Sequence, residues 1–485
     1  MTSRRSRPGA AARAPRQGRE NPLRTGHVRV VMRSRPFVLV AALGLFGLVV
    51  PAPVRAQASS PPQVAAPAPP APAAADLAGA MEAFAAGMDA KERKDFAQYR
   101  AGIERAVELL PDPARLLYRL AVARLLAGDA PGAIAAYRRQ VDAGFARDPR
   151  QDPELAALLP DPAFREALAR LDALPTPVAA SSVAFELPVR DLIEGIAHDP
   201  KSGAFYFSSV AQRKILRRTK DGAVSDFVPS GAQGLLSPLG LAVDTEHRRL
   251  WMVAAGLPQT VGLKKADRNK SALMAFDLDT GAWQRTVDAP PGERSWNDLE
   301  LAADGSVFVS DPAAKSILRV KPDGGILTLL AGEEILGSPG GLALSADGRL
   351  LYVADWTNGL GVLDLQSKEA EGAARGSWMR PPAGATVLGI DGLRRQGNRL
   401  IAIQNGVFPP RILSLELGAG GRTLLSAKTL EKNLPEWDEP TLGVVVDGAL
   451  FYVSNSHWPS FPGNESSPTD TTKLTPTAIR RLPLD

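Results

Sequence analysis

The sequence predicts an all-β six-bladed β-propeller with an N-terminal α-helical domain. Three observations carry that expectation. A β-hairpin element recurs six times between residues 203 and 455. The hydrophobic period changes near Pro175 from helical to strand-like. An Ala/Pro-rich stretch separates both parts from a basic leader.

The leader at residues 1–56 holds eleven Arg against one Glu, a charge of +10. The whole chain is only +5, so the remainder carries 5 − 10 = −5. The high pI therefore belongs to the leader, and no basic patch argues for nucleic acid. Within it, "MRSRPFVLVAALGLFGLVVPAPVRA" pairs Arg33 and Arg35 with an apolar run, Phe37–Val50, ending at Val54-Arg55-Ala56. That run is 14 residues, short for a membrane span, and reads as a signal peptide cut after Ala56. The competing reading is an uncleaved anchor. Cleavage leaves a periplasmic or secreted protein with no membrane span. Residues 57–75, with "PPQVAAPAPPAPAAA", form an extended linker that cannot build a core. The 485 residues contain no cysteine, which excludes disulfides, thiolate metal sites and cysteine nucleophiles.

Residues 76–175 follow a 3.6-residue period rich in Ala, Leu and Arg. Lys94-Asp95 and Gly128-Asp129 each separate helical runs and lie 34 residues apart. Leu120, Ala121, Gly128, Ala133 and Tyr137 fall at tetratricopeptide spacings. The segment resembles one and a half to two such units. It reads equally as a groove for a protein partner or as a helical spacer.

From 183 to 485 the recurring element is "GAFYFSS", "RLWMVAA", "SVFVSD", "LLYVAD", "RLIAIQ" and "LFYVSN". Its anchors, Phe207, Val253, Val309, Val353, Ile403 and Val453, are 46, 56, 44, 50 and 50 residues apart. Each element follows a short strand across a turn, and most precede two more. Four strands per repeat, six times over, make a six-bladed propeller. After Val453 a single strand remains, at 477–484, while a spare strand at 183–189 precedes blade one. Their pairing closes the ring and removes an exposed sheet edge.

Counting back from the anchors gives the residue that starts each inner strand: Glu194, Leu239, Asn297, Gly340, Asp391 and Leu442. Blades one, three and five thus bring oxygen-bearing side chains to one mouth of the channel. Such a cysteine-free cluster suits a hard cation such as Ca2+. Asn297 and Asp298, poor strand formers before "LELA", also read as a turn. His457 and Trp458, on the same face, are candidates to line a substrate pocket. Asp311, Asp355, Asn405 and Asn455 read mostly as turn residues. His198 reads as a residue satisfied within blade one.

"EGIAHDPKSGAFYFS", "WNDLELAADGSVFVSD", "SPGGLALSADGRLLYVAD" and "GIDGL" resemble the SMP-30/gluconolactonase-like, regucalcin-type propellers over nearly all of 183–485. The resemblance implies a divalent metal held by Glu194 and Asp391, with Asn297 beside it contacting substrate or serving as a ligand. It implies a lactone hydrolase in which Asp391 is both ligand and general base, with Asp298 in support, acting on a small lactone or sugar-derived molecule. The family's "PNGL" asparagine is missing, because this chain reads Pro339-Gly340-Gly341-Leu342. The competing reading is a non-catalytic propeller that binds a ligand or protein, its metal site decayed at Gly340. No nucleophile elbow, P-loop or dinucleotide fingerprint is present.

The leader generates one expectation about processing. N-terminal sequencing of the exported protein should begin near Gln57; finding residues 33–50 still attached would contradict it.

Overall fold

The computed structural model describes residues 76–145, 147–333, 335–367, 375–462 and 471–484, all within one compact unit. The expected leader and signal peptide at 1–56 and linker at 57–75 lie outside the described residues. Among the described residues, no helix is long and apolar enough to cross a membrane.

Five α-helices come first: α1 (Leu77–Glu92), α2 (Phe96–Leu109), α3 (Leu117–Leu126), α4 (Ala130–Asp142) and α5 (Pro162–Ala173). Asp76, Asp95, Asp129 and Asp161 cap α1, α2, α4 and α5, each accepting a main-chain N–H of the first turn. The 34-residue spacing in the sequence is therefore the distance between the caps of α2 and α4. α1 and α2 touch backbone to backbone, since a Cβ on Gly102 would lie 2.6 Å from Gly87 Cα. Tyr99, Ile103, Leu120, Tyr137 and Phe164 fill the helical core.

Six four-stranded antiparallel sheets follow. Their inner strands are Ile193–Asp199, Ser237–Asp244, Leu299–Leu301, Pro339–Leu344, Ile390–Gln396 and Gly443–Val446. Consecutive inner strands are neighbours, and the sixth neighbours the first, so the ring is closed. Tight hairpins make this possible; Asp447 and Gly448 both have positive φ, 46° and 71°, as a two-residue turn matching strand twist requires. Between blades the packing is apolar. Ile196, Leu241, Leu299, Leu342 and Leu393, which follow Glu194, Leu239, Asn297, Gly340 and Asp391 by two residues, are buried.

Closure is as the spare strand predicts. Ser182–Leu187 is the outer strand of blade six, antiparallel to Thr477–Pro483, with Leu187 opposite Thr477. Leu187, Phe207, Val453 and Ile479 form one cluster spanning blades six and one. Just upstream, Ser181 Oγ donates to Glu431 Oε1 at 2.7 Å, and Tyr452 OH donates to Glu431 Oε2 at 2.6 Å.

The helices dock on loops of blades four and five. Arg380 donates to the carbonyls of Glu108 and Leu110 at 2.9 and 3.1 Å, and Arg411 Nη2 donates to that of Ala143 at 2.8 Å.

The closing strand depends on burial of its last side chain. Leu187→Ala is expected to cost about 2–5 kcal/mol in chemical denaturation, and unchanged stability would show that the strand does not hold the ring.

Candidate functional site

Glu194, Leu239, Gly340 and Asp391 occupy equivalent places because the same irregularity starts four inner strands. The pairing register slips between Ile193 and Ile196, Pro238 and Leu241, Pro339 and Leu342, and Ile390 and Gly392. Such a bulge re-aims the side chain inside it. Asn297 stands two residues before the inner strand of blade three, and Leu442 directly before that of blade six.

The next position explains how close the strands come. It reads Gly195, Gly240, Asp298, Gly341, Gly392 and Gly443 around the ring. A Cβ on Gly195 would meet Leu239 O at 2.2 Å, on Gly341 it would meet Asp391 O at 2.5 Å, and on Gly392 it would meet Thr441 O at 2.7 Å. Asp298 is the exception. It is 1% exposed; its Oδ2 accepts from Arg394 Nη1 at 3.1 Å and Leu342 N at 3.4 Å. Its Oδ1 is buried with no hydrogen-bond partner among the described residues.

Three residues past the start, the ring reads Ala197, Ala242, Glu300, Ala343, Arg394 and Val445. Charges therefore occur at this level only in blades three and five. Glu300 Oε1 accepts from Leu344 N at 3.2 Å. Burial opposes the Arg394 charge, and Asp298 and Glu300 outweigh it. Asp298, Glu300 and Arg394 together form a charged floor below the mouth.

At the mouth burial raises the carboxylates' pKa, and Asp391 adds to the rise of Glu194 and Glu439. Burial pushes Glu194 well above the ordinary range, and the Asp391 and Glu439 carboxylates add to it. Burial lifts Asp391 to about 6, with Asp298 adding and Asn405 opposing. Glu439 is pushed up to about 7 by burial and then by Asp391. Sequence reasoning missed Glu439, which sits in the irregular loop before the inner strand of blade six.

Each mouth residue has a defined setting. Glu194, 4% exposed, accepts from the Trp458 indole N–H on Oε2. Asp391 Oδ2 accepts from Asn405 Nδ2 at 2.8 Å. Asn297 Nδ2 lies 3.7 Å from where a Cβ on Gly340 would stand, so the asparagine reaches the position the chain leaves empty. His457 departs from the expectation that it lines a substrate pocket. The residue is 2% exposed, Nδ1 faces Asp438 Oδ2 at 3.4 Å and Nε2 faces Thr475 O at 3.0 Å. It ties two loops together and leaves Trp458, the next residue, to face Glu194. His198 packs on Phe205, ring centres 4.6 Å apart. Asp311 and Asp355 accept main-chain N–H groups of their own turns, Asn455 accepts from Ala478 N of the last strand, and Asn405 reaches the mouth.

Among the described residues, no group of three or more His, Asp or Glu is arranged to hold a metal ion by itself. The donor set for a cation is mixed: Glu194, Asp391 and the Asn297 amide. No hydrogen bond among the described residues reaches Glu194 Oε1 or Asp391 Oδ1. Two buried carboxylates that repel each other, each with an oxygen to spare, fit a hard cation that keeps water in part of its shell.

Residues 192–396 match the family described as the SMP-30/Gluconolactonase/LRE-like region. The propeller is SMP-30/gluconolactonase-like. The match runs from the start of blade one through the inner strand of blade five and includes Glu194, Asn297, Gly340 and Asp391. Among solved structures, the chain is similar to the calcium-binding protein regucalcin of Agrobacterium tumefaciens, 17% identical over 63% of this chain and 93% of that one, TM-score 0.44. It is also similar to a gluconolactonase of Xanthomonas campestris, 17% identical over 64% and 96%, TM-score 0.43. A third is virginiamycin B lyase of Staphylococcus aureus, 14% identical over 61% and 83%, TM-score 0.41. No curated protein matches the chain.

A raised carboxyl pKa means that the folded state keeps its proton longer than the unfolded chain. Stability from Glu439 is then present at low pH and is lost as pH rises through about 7. In chelator, wild-type Tm should fall between about pH 5 and about pH 8. Glu439→Gln should fall less and melt about 2 °C higher at the upper end; equal slopes for the two proteins would contradict the assignment.

Proposed function

We propose that the channel mouth is a divalent-cation site at which a small lactone is hydrolysed, in a protein exported from the cytoplasm. One observation carries the reading: Glu194 and Asp391 sit in the opening bulges of the inner strands of alternate blades, and the Asp391 carboxylate acts on the buried Glu194. Glu194, Asp391 and the Asn297 amide are the residues that would hold the cation, Ca2+ being suited to oxygen donors. When bound, the cation supplies Lewis acidity toward a carbonyl and makes a nearby water more acidic.

The chain's own groups supply the rest. Asn405 fixes Asp391 Oδ2, which leaves Oδ1 to accept a proton from the attacking water. The water oxygen bonds to the lactone carbonyl carbon, the ring C–O bond breaks, and the departing alkoxide takes up the proton. Glu439, raised to about 7 by burial and by Asp391, is suited to relay it: it gives its own proton to the alkoxide and takes up the one held by Asp391. Trp458 holds Glu194 from one side and offers an apolar wall. The floor of Asp298, Glu300 and Arg394 closes the site below.

A second reading is supported by Gly340, which gives no donor, and by Arg394, which already brings a cation to the floor. On that reading the propeller binds a ligand or protein without hydrolysis.

Calorimetry with Ca2+, Mg2+, Mn2+ and Zn2+, followed by a lactone panel, separates them. Asp391→Asn is expected to abolish cation binding and to lower hydrolysis roughly 10^2- to 10^4-fold. Gly340→Asn should tighten cation binding, because a Cβ there meets nothing nearer than 3.7 Å. Absence of divalent binding in both wild type and Gly340→Asn would remove the hydrolase reading and leave the binding propeller.

A further inference from the structure

We propose that the helical segment is a working part of the mouth, with Asp112 as the positioning residue that holds the chain leading into Asp391. The proposal rests on the site reading above and adds to it a requirement for the helices.

The contact is built from buried groups. Asp112 follows α2 and is 4% exposed. Its Oδ2 accepts from Thr386 Oγ1 and from Val387 N, both at 2.7 Å, while Oδ1 accepts from Ala114 N at 3.1 Å. Thr386 and Val387 are fully buried, and Leu388 packs with Ala114 and Ala143 of the helical segment. Leu388 is three residues before Asp391.

A second arm reaches the same loop from the other side. Arg411, 8% exposed, donates from Nη2 to Ala143 O at 2.8 Å and from Nε to Gln404 Oε1. Gly144, at the end of α4, has φ +70°, and a Cβ on it would lie 2.1 Å from Arg411 Nη1. Gln404 Nε2 then donates to Thr386 O at 3.0 Å and Leu388 O at 2.6 Å. The next residue, Asn405, is the one that fixes Asp391. Both the strand that carries Asp391 and its hydrogen-bond partner are thus tied to the helices through one buried network.

Buried carboxylates and guanidinium groups are costly to desolvate, and a spacer needs neither. Here Asp112 satisfies Val387 N of a loop that has no sheet partner of its own, and Arg411 ties Ala143 O to Gln404, which holds two carbonyls of the same loop; together they fix where the inner strand of blade five begins. A carboxylate acceptor on two donors is strong enough to hold a loop against local opening.

The test is amide hydrogen exchange on the full chain, with cation binding measured alongside. Asp112→Ala should speed exchange at residues 388–393 about tenfold, leaving the inner strand of blade one unchanged. Thr386→Val, which removes the donor from the propeller side, should act in the same direction, and Asp112→Asn should fall between Asp112→Ala and wild type. Asp161→Ala, which uncaps α5 away from the contact, should lower Tm without altering exchange at 388–393. Divalent affinity should drop about tenfold in Asp112→Ala and be unchanged in Asp161→Ala. Wild-type exchange at 388–393 in both Asp112→Ala and Thr386→Val would overturn the proposal. Absence of cation binding in wild type would instead remove the metal reading, and the exchange result would still decide whether Asp112 positions the loop.

Discussion

Everything at the mouth depends on how closely the inner strands approach one another. Glycine at the second position lets the carbonyl of the next blade come within the space a Cβ would fill, as at Gly195, Gly341 and Gly392. That approach brings Glu194, Asn297 and Asp391 around one axis, although they lie on separate repeats. It also forces carboxylates together, because each bulge aims its side chain inward. Ring closure by Ser182–Leu187 keeps the approach fixed, since an open ring has a free edge and no reason to hold its radius.

The charge pattern follows from that geometry. Where Asp298 replaces glycine, its carboxylate lies against Gly240 and reaches blades four and five through Leu342 N and Arg394. The floor is nearly self-compensated, with one arginine between two acids. The mouth is not: no ion pair among the described residues reaches Glu194 or Asp391, burial raises both, and Asp391 adds to the rise of Glu194. Acid excess above a paired floor is the pattern that the proposed cation reading of the mouth requires.

Much of the fold was legible because a propeller writes its period into the sequence. The anchors from Phe207 to Val453 gave six blades, and the unpaired strands at either end gave closure. Glu194, Asn297 and Asp391 were picked out by the same register, 12 or 13 residues before an anchor. Arg394 and Glu300 obeyed that register too, three residues on, and aligning that position would have found them. Glu439 had no such signal, because it lies in "PEWDEPT", a loop with no counterpart in the other blades. The loop aromatic and imidazole at 457–458 looked alike in sequence, and only packing separates them: His457 is enclosed by Asp438 and Thr475, and Trp458 meets Glu194. The contact of Asp112 with Thr386, 274 residues apart, leaves no local trace.

The most direct measurement of the shared mouth is an anomalous difference map from crystals of the protein soaked in Mn2+. A peak touching both the Glu194 and the Asp391 carboxylates, with the Asn297 amide turned toward it, is the expected result. A map with no peak at the mouth and the two carboxylates directed to different faces would contradict it.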